Sequence, residues 1–262
     1  MPNVKEIHEF IKTLAPEYMA MDWDHVGLLC GRSDREVRRV LVALDPFLPV
    51  AKEAKELDCP LLVTHHPAFW KLEKVNDESL QGQTLLYLIE NGISAINAHT
   101  NLDCAPDGVN DCLAEKLELS GITVIDPVGK DEQGRDYGLL RGGEIQEQST
   151  EEFLSHVKKA LACEHLRYVH GGRPIRRVAV GGGSCADGLM RVAELGYDAF
   201  VTADCKYNAF ADAKALGITL VDAGHFQTEN PVCAYLVEKL QENFPEVEVI
   251  LSKVHADCIK FL

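Results

Sequence analysis

The chain has 262 residues, 46 % of them hydrophobic and 26 % charged, enough for one large domain or two smaller ones with a substantial core. A formal net charge of −15 argues against a general nucleic-acid-binding surface, which needs clustered Lys and Arg; the acidity either serves solubility or gathers carboxylates at a cation site. No apolar run approaches the ~18 residues of a membrane span, and the opening "MPNVKEIHEF" lacks the apolar core of a signal peptide, so a cytoplasmic protein without membrane attachment is expected.

Nine cysteines, none in a C-x-x-C pair, read as reduced and mostly buried thiols in such a compartment, including Cys104 and Cys205, which each follow close on an aspartate.

Along the chain, short apolar runs alternate with amphipathic stretches. "RRVLVALD" (38–45) predicts a buried strand, "PVAKEAKELD" (49–58) a helix and "CPLLVT" (59–64) a second strand. "SLQGQTLLYLIENG" (79–92) predicts a helix closed by Gly92, "ISAIN" (93–97) a third strand and "GVNDCLAEKLEL" (108–119) a further helix. The polar "GKDEQGRD" (129–136) reads as a joint between two halves, 1–128 and 129–262, with the C-terminal helix and strand free to pack back on the first. Beyond it, "YGLLRGGEI" predicts a strand and "STEEFLSHVKKALA" a helix capped by Ser149 or Thr150. "IRRVAVGGG", "YDAFVTAD" and "ITLVDAG" predict strands separated by the helices "DGLMRVAELG" and "NAFADAKALG". A helix capped by Asn230 and opened by Pro231 follows, then the strand "VEVILS". Strands apolar on both faces, separated by helices, predict an α/β fold with mainly parallel sheets.

Two pairs of these strands repeat at one interval. "RRVLVALD" from Arg38 aligns with "RRVAVGGG" from Arg176, and "LLVTHH" from Leu61 with "AFVTAD" from Ala199. "GISAINAHT" and "GITLVDAGH" follow in the same order. The expectation is two similar α/β halves with a metal site in the cleft between them. Similarity among buried strands in general is the competing explanation.

Groups able to do chemistry gather just after the apolar runs. His65 and His66 follow "LLVT", His99 and Asp103 follow "SAIN", Asp204 follows "AFVTA", and His225 and Glu229 follow "LVDAG". Loops beyond the carboxyl ends of parallel strands form the ligand crevice of open α/β sheets. Four of the ten histidines fall there. The turn at His66-Pro67 can bring both adjacent imidazoles to one cavity, one for each of two metal ions, with a carboxylate such as Asp103 or Glu229 as the bridge. A mixed imidazole and carboxylate set suits Zn, Fe or Mn. His8, His156, His165, His170 and His255 read as ordinary surface or core residues. Asp24 and His25 either line the same cleft or belong to a surface loop. No G-x-S-x-G elbow or P-loop is present, and "GGGSCADG" (181–188) is either a tight turn or an anion cradle.

The motifs together resemble the Ngg-interacting-factor-like proteins, a dinuclear-metal family whose members are named GTP cyclohydrolase I type 2 homologs. "WDHVGLLCG", "VTHHPAFW", "AHTNLDCAPDGVND", "GGGSCADG" and "DAGHFQTE" occur in the family's order over nearly the whole chain. The resemblance implies His65, His66, Asp103, His225 and Glu229 as ligands of two divalent ions, with His99 beside them. It implies two similar α/β halves, a toroidal homohexamer and a hydrolase in which metal-activated water attacks the purine ring of GTP. His99 or Glu229 would move the proton. The alternative is a non-catalytic metal-binding or metal-delivery scaffold. Some members carry an extra mid-chain domain, for which the joint near residue 130 leaves no room. His25, Ala203 and Asn208 stand where the family more often has Asn, Gly and His; none of these removes a ligand.

Overall fold

A computed structural model describes residues 1–72 and 74–262. Contacts divide the chain into two units, Met1–Ala105 with Cys233–Ala256, and Pro106–Val232 with Asp257–Leu262.

The first unit opens with α1 (Val4–Leu14), followed by β1 (Gly27–Cys30), β2 (Arg39–Ala43), α2 (Leu48–Glu56), β3 (Leu61–Thr64), α3 (Leu80–Glu90), β4 (Ser94–Asn97) and the single-turn α4 (Thr100–Cys104). Asn3 caps α1 through a reciprocal box with Glu6, which satisfies two amides that the helix leaves open. Ser79 caps α3, and the predicted stop is there: Asn91 closes the helix and Gly92 takes φ +64, a conformation that a Cβ disfavours.

The second unit runs through α5 (Val109–Lys116), β5 (Ser120–Ile125), the two-residue pair β6 (Gly129–Lys130) and β7 (Asp136–Tyr137), β8 (Leu140–Gln148) and α6 (Thr150–Ala160). It continues with β9 (Arg167–Val169), β10 (Ile175–Val180), α7 (Leu189–Glu194), β11 (Ala199–Thr202), α8 (Tyr207–Leu216), β12 (Thr219–Asp222) and α9 (His225–Glu229). The chain then passes along α10 (Pro231–Asn243) to β13 (Glu248–Leu251), which pairs in parallel with β2. The polar stretch 129–136, read from the sequence as a joint, is a small hairpin inside the second unit. The contact division falls after Ala105 because β5 pairs with β8, which ties the residues before the hairpin to the sheet that follows it.

The sheet of the first unit has the order β1-β4-β3-β2-β13, parallel except for the edge strand β1. All four residues of β3 and of β4 are buried. Alternation sends Leu41, Leu62 and Ala95 toward α2 and α3, where Val50, Ala51, Ala54, Leu85 and Leu88 complete one core. Val40, Val42, Leu61, Val63 and Ile96 point the other way and are buried as well. In the second unit the order is β5-β8-β10-β11-β12-β9, with β10, β11 and β12 parallel. Val178, Val180, Val201 and Val221 pack with Phe153 and Val157 of α6. Ala179, Phe200 and Leu220 face the opposite layer of Leu189, Val192 and Ala213. Both sheets are therefore covered on both faces, as parallel strands require.

Each unit thus contains three consecutive parallel strands whose carboxyl ends lie side by side: β2, β3 and β4 in one, β10, β11 and β12 in the other. Whatever follows those strands is brought together by the sheet itself. Among the described residues no helix is long and apolar enough to cross a membrane.

Candidate functional site

In the first unit, β2 delivers Asp45, β3 delivers His65 and His66, and β4 delivers His99 at the start of α4. The backbone turns sharply at each exit. His66 N donates to Leu44 O at 2.9 Å, Thr64 Oγ1 to His66 O at 2.7 Å, and Ala98 N to Thr64 O at 3.1 Å. The two main-chain bonds carry the parallel ladders to the end of β3 and just past it, and at the bend of His65 and His66, braced by Thr64 Oγ1, two consecutive imidazoles approach each other. Their ring centroids lie 4.9 Å apart, and His99 lies 5.1 Å from His65 and 5.6 Å from His66. One nitrogen from each of the three falls within 4.8 Å of the others, a grouping that can hold a metal ion. Asp103, one helical turn after His99 on α4, brings Oδ1 to 3.6 Å from His65 Nε2. His65 is fully buried, and Asp103 is 7 % exposed.

The outer nitrogen of each imidazole is already committed. His65 Nδ1 bonds Ala98 O at 2.9 Å, His66 Nδ1 bonds Asp45 Oδ1 at 2.7 Å, and His99 Nδ1 bonds Asp24 Oδ2 at 2.8 Å. A carbonyl or carboxylate oxygen only accepts, so Nδ1 carries the proton and a neutral ring keeps its lone pair on Nε2. This is the arrangement that orients histidines for a metal.

The supporting carboxylates stay ionised. Burial pushes the Asp24 carboxyl up, but hydrogen bonds from His99 and Thr100 outweigh it and hold the group well below the usual carboxylate range. Asp45 shows the same balance, with burial opposed by bonds from His255 and His66. Asp24 thereby enters the site through its side chain, while His25 is exposed and takes part through its backbone, its N–H donating to Asp24 Oδ1 at 2.8 Å and its carbonyl accepting from Asn97 Nδ2 at 3.2 Å. At the mouth of the cluster stand two half-exposed indoles, Trp23 and Trp70. Their ring centroids are 6.4 Å apart, and each ring meets His99 edge to face at 5.9 and 5.1 Å.

In the second unit, β10 leads into the glycine turn 181–183, β11 into Asp204 and β12 into His225. His225 Nδ1 bonds Asp204 Oδ2 at 2.7 Å, and its Nε2 lies 3.0 Å from Glu229 Oε2 one turn along α9. The same logic applies: Nδ1–H is spent on a carboxylate, and Nε2 points at a second one. Either a proton or a metal cation relieves a lone pair facing a carboxylate. Glu229 is 4 % exposed. Gly183, at φ +60, passes so close that a Cβ there would lie 2.1 Å from Glu229 Oε1. The amides of the turn are used internally. Gly182 N donates to Asn110 Oδ1 at 2.7 Å, Gly183 N to Thr228 Oγ1 at 3.0 Å and Cys185 N to Thr202 Oγ1 at 3.1 Å. With these three amides taken by side chains of the same unit, the stretch serves as a packing turn against Glu229.

The family profile described as Duf34/NIF3 (NGG1p interacting factor 3) matches residues 2–258. The chain belongs to the Duf34/NIF3 family. A Clostridium perfringens relative named "GTP cyclohydrolase 1 type 2 homolog" is 33 % identical over 99 % of this chain and 100 % of its own. Among solved structures, a Bacillus cereus protein related to NIF3 superposes with a TM-score of 0.93 at 24 % identity, covering 100 % of this chain and 99 % of that one. A hypothetical protein of Staphylococcus aureus gives 0.90 at 27 % identity, with 99 % of each chain covered. These NIF3 relatives share the mixed α/β architecture described above.

Every histidine and carboxylate expected at the site thus lies at the end of a parallel strand or on the single helical turn after it. Within the first unit His65, His66, His99 and Asp103 are brought together; within the second, His225, Glu229 and Asp204 are. Asp45 was not singled out in the sequence, and His255, expected to be an ordinary surface or core residue, bonds Asp45 instead. Asp45 carried the signal used for the others, a polar residue directly after a buried strand. His255 carried none, since it sits in an irregular terminal segment.

Cys205 is buried, its thiol pushed up to about 12 by burial and by the nearby Asp222 charge, as expected of an inert core thiol and not of a ligand.

Proposed function

We propose that the protein binds two divalent transition-metal ions per chain through His65, His66, Asp103, His225 and Glu229, and uses them to hydrolyse a purine nucleotide. The observation that carries the metal reading is the common state of four imidazoles. His65, His66 and His225 each spend Nδ1 on an oxygen acceptor, which leaves Nε2 as the ligand atom; His99 spends Nδ1 in the same way, which leaves its Nε2 to handle a proton beside the ions. The donor set, neutral imidazole with carboxylate, fits Zn, Fe or Mn. When bound, such ions supply a water that is acidic near neutral pH and a positive charge opposite a developing oxyanion.

The chain's own residues provide the rest. His99 holds a proton on Nδ1 against an ionised Asp24, so a second proton on Nε2 is stabilised by that carboxylate. This suits His99 to accept and return a proton at Nε2, with Glu229 as the other proton carrier. Trp23 and Trp70 offer aromatic faces beside His99 on which a planar base can stack. An acidic chain has little charge of its own for a triphosphate, so the ions would also receive the phosphates.

The test is turnover of GTP and other purine nucleotides by metal-loaded protein, beside a His65→Ala variant shown to fold. Ring-opened product from wild type, lost in the variant, supports the proposal. Equal background rates with metal still bound would leave a metal-binding scaffold and remove the enzyme. The homohexamer that the family resemblance implies is part of the same proposal; a native mass six times that of the chain is expected, and a monomer would contradict it.

A further inference from the structure

We infer that His255, in the C-terminal segment, is a positioning residue for His66 and acts on it through Asp45. The inference rests on the metal reading above for its consequence, but on hydrogen bonds within the first unit alone for its geometry.

Asp45 is bonded by two imidazoles. Its Oδ1 accepts from His66 Nδ1 at 2.7 Å, and its Oδ2 accepts from His255 Nε2 at 2.8 Å. A carboxylate held by one bond can turn about Cβ–Cγ and present either oxygen. Held by two bonds on opposite oxygens, it presents Oδ1 to His66 in one orientation only. That orientation fixes the plane of the His66 ring and the tautomer with the proton on Nδ1. The His255 side chain, 6 % exposed, makes this second bond with its ring centroid 6.4 Å from that of Phe47.

The segment that carries His255 is itself anchored. Residues 252–256 form neither helix nor strand. Ser252 N donates to Val42 O at 2.8 Å as the chain leaves β13. The buried Glu53 of α2 accepts from Lys253 N at 2.9 Å and from the Ser252 hydroxyl. Ser252 Oγ in turn accepts from His255 N at 3.2 Å. Burying a carboxylate is costly unless it is well bonded, and Glu53 spends both oxygens on this short stretch. The bonds place His255 at a defined height over Asp45. A residue nearly two hundred positions away in sequence thereby sets the direction of His66 Nε2.

Two full-length variants separate a donor from a filler. His255→Gln keeps an N–H able to reach Asp45, whereas His255→Phe keeps bulk against Phe47 and removes the donor. Long-range nitrogen–proton NMR on the chelated chain reports the His66 tautomer. Cobalt(II) titration against a competing chelator, followed by visible absorption, reports affinity. Wild type and His255→Gln are expected to show a single His66 tautomer with the proton on Nδ1. His255→Phe is expected to show a mixture and to bind one of the two cobalt ions about tenfold or more weakly, the other unchanged. If the Phe variant keeps both the wild-type tautomer and the wild-type cobalt affinity, the inference is overturned. Equal disturbance in the Gln and Phe variants would also overturn it, since that marks packing and not the bond. Wild type that takes up no cobalt would instead refute the metal reading, and the tautomer comparison would still decide the role of His255.

Discussion

Gly183 shows how little freedom a single residue has beside Glu229. Its φ of +60 disfavours a side chain, and an added Cβ would press on Glu229 Oε1. Gly183→Ala is expected to lose about 1–3 kcal/mol in urea unfolding from the backbone alone, and to lower metal content because Glu229 must move. Unchanged stability together with unchanged metal content would show that the turn relaxes freely. The residues around the site follow the same economy. Asp24, Asp45 and Asp204 each spend an oxygen on the Nδ1 of one histidine; the first and last were in view in the sequence, and Asp45 extends the same pattern.

At the scale of elements, what the sequence made legible depended on length and periodicity. The box formed by Ser149 and Glu152 was readable as S-x-x-E before an apolar face, and it is present: Glu152 N donates to Ser149 Oγ and Ser149 N to Glu152 Oε2. Ser149→Ala is expected to lower thermal stability by about 1 kcal/mol, measured by calorimetry; no change would mean that α6 is held by Phe153 and Val157 alone. The buried strands β2, β3, β4, β10, β11 and β12 were equally visible as apolar runs. By contrast β1, β5 and β9 lie outside the parallel triplets, paired antiparallel, and half of their residues or more are only partly buried or exposed. Their sequences carry no alternation to mark them. The single-turn helices α4 and α9 have five residues each, too few for a helical period. They are the elements that set His99 against Asp103 and His225 against Glu229. The candidate residues were thus legible from their place after strands, while the local backbone that aims them was not.

At the scale of the whole molecule, burial of thiols couples stability to alkaline pH. Burial pushes Cys59, Cys112 and Cys205 up to about 12 and Cys163 up to about 11, from an unfolded value near 9.0. Between these values the folded chain keeps protons that the unfolded chain has lost, so the thiol contribution to stability is full below about pH 9 and declines as pH rises toward 12. Urea midpoints measured with metal chelated are expected to fall across that window, and less steeply in Cys205→Ala. A slope that the variant leaves untouched would show that other groups govern it. The division after Ala105, and the return of the chain through β13 to β2, depend on pairings between distant segments. Composition and local pattern do not encode such pairings, which is why the polar hairpin at 129–136 looked like a joint.

Anomalous diffraction from crystals of metal-loaded protein, collected at the edges of zinc, iron and manganese, tests whether His65, His66, Asp103, His225 and Glu229 hold two ions. Two anomalous peaks per chain are expected, with His65, His66 and His225 coordinating through Nε2 while each Nδ1 keeps its oxygen partner. Coordination through Nδ1, or no peak at these residues, would contradict this assignment.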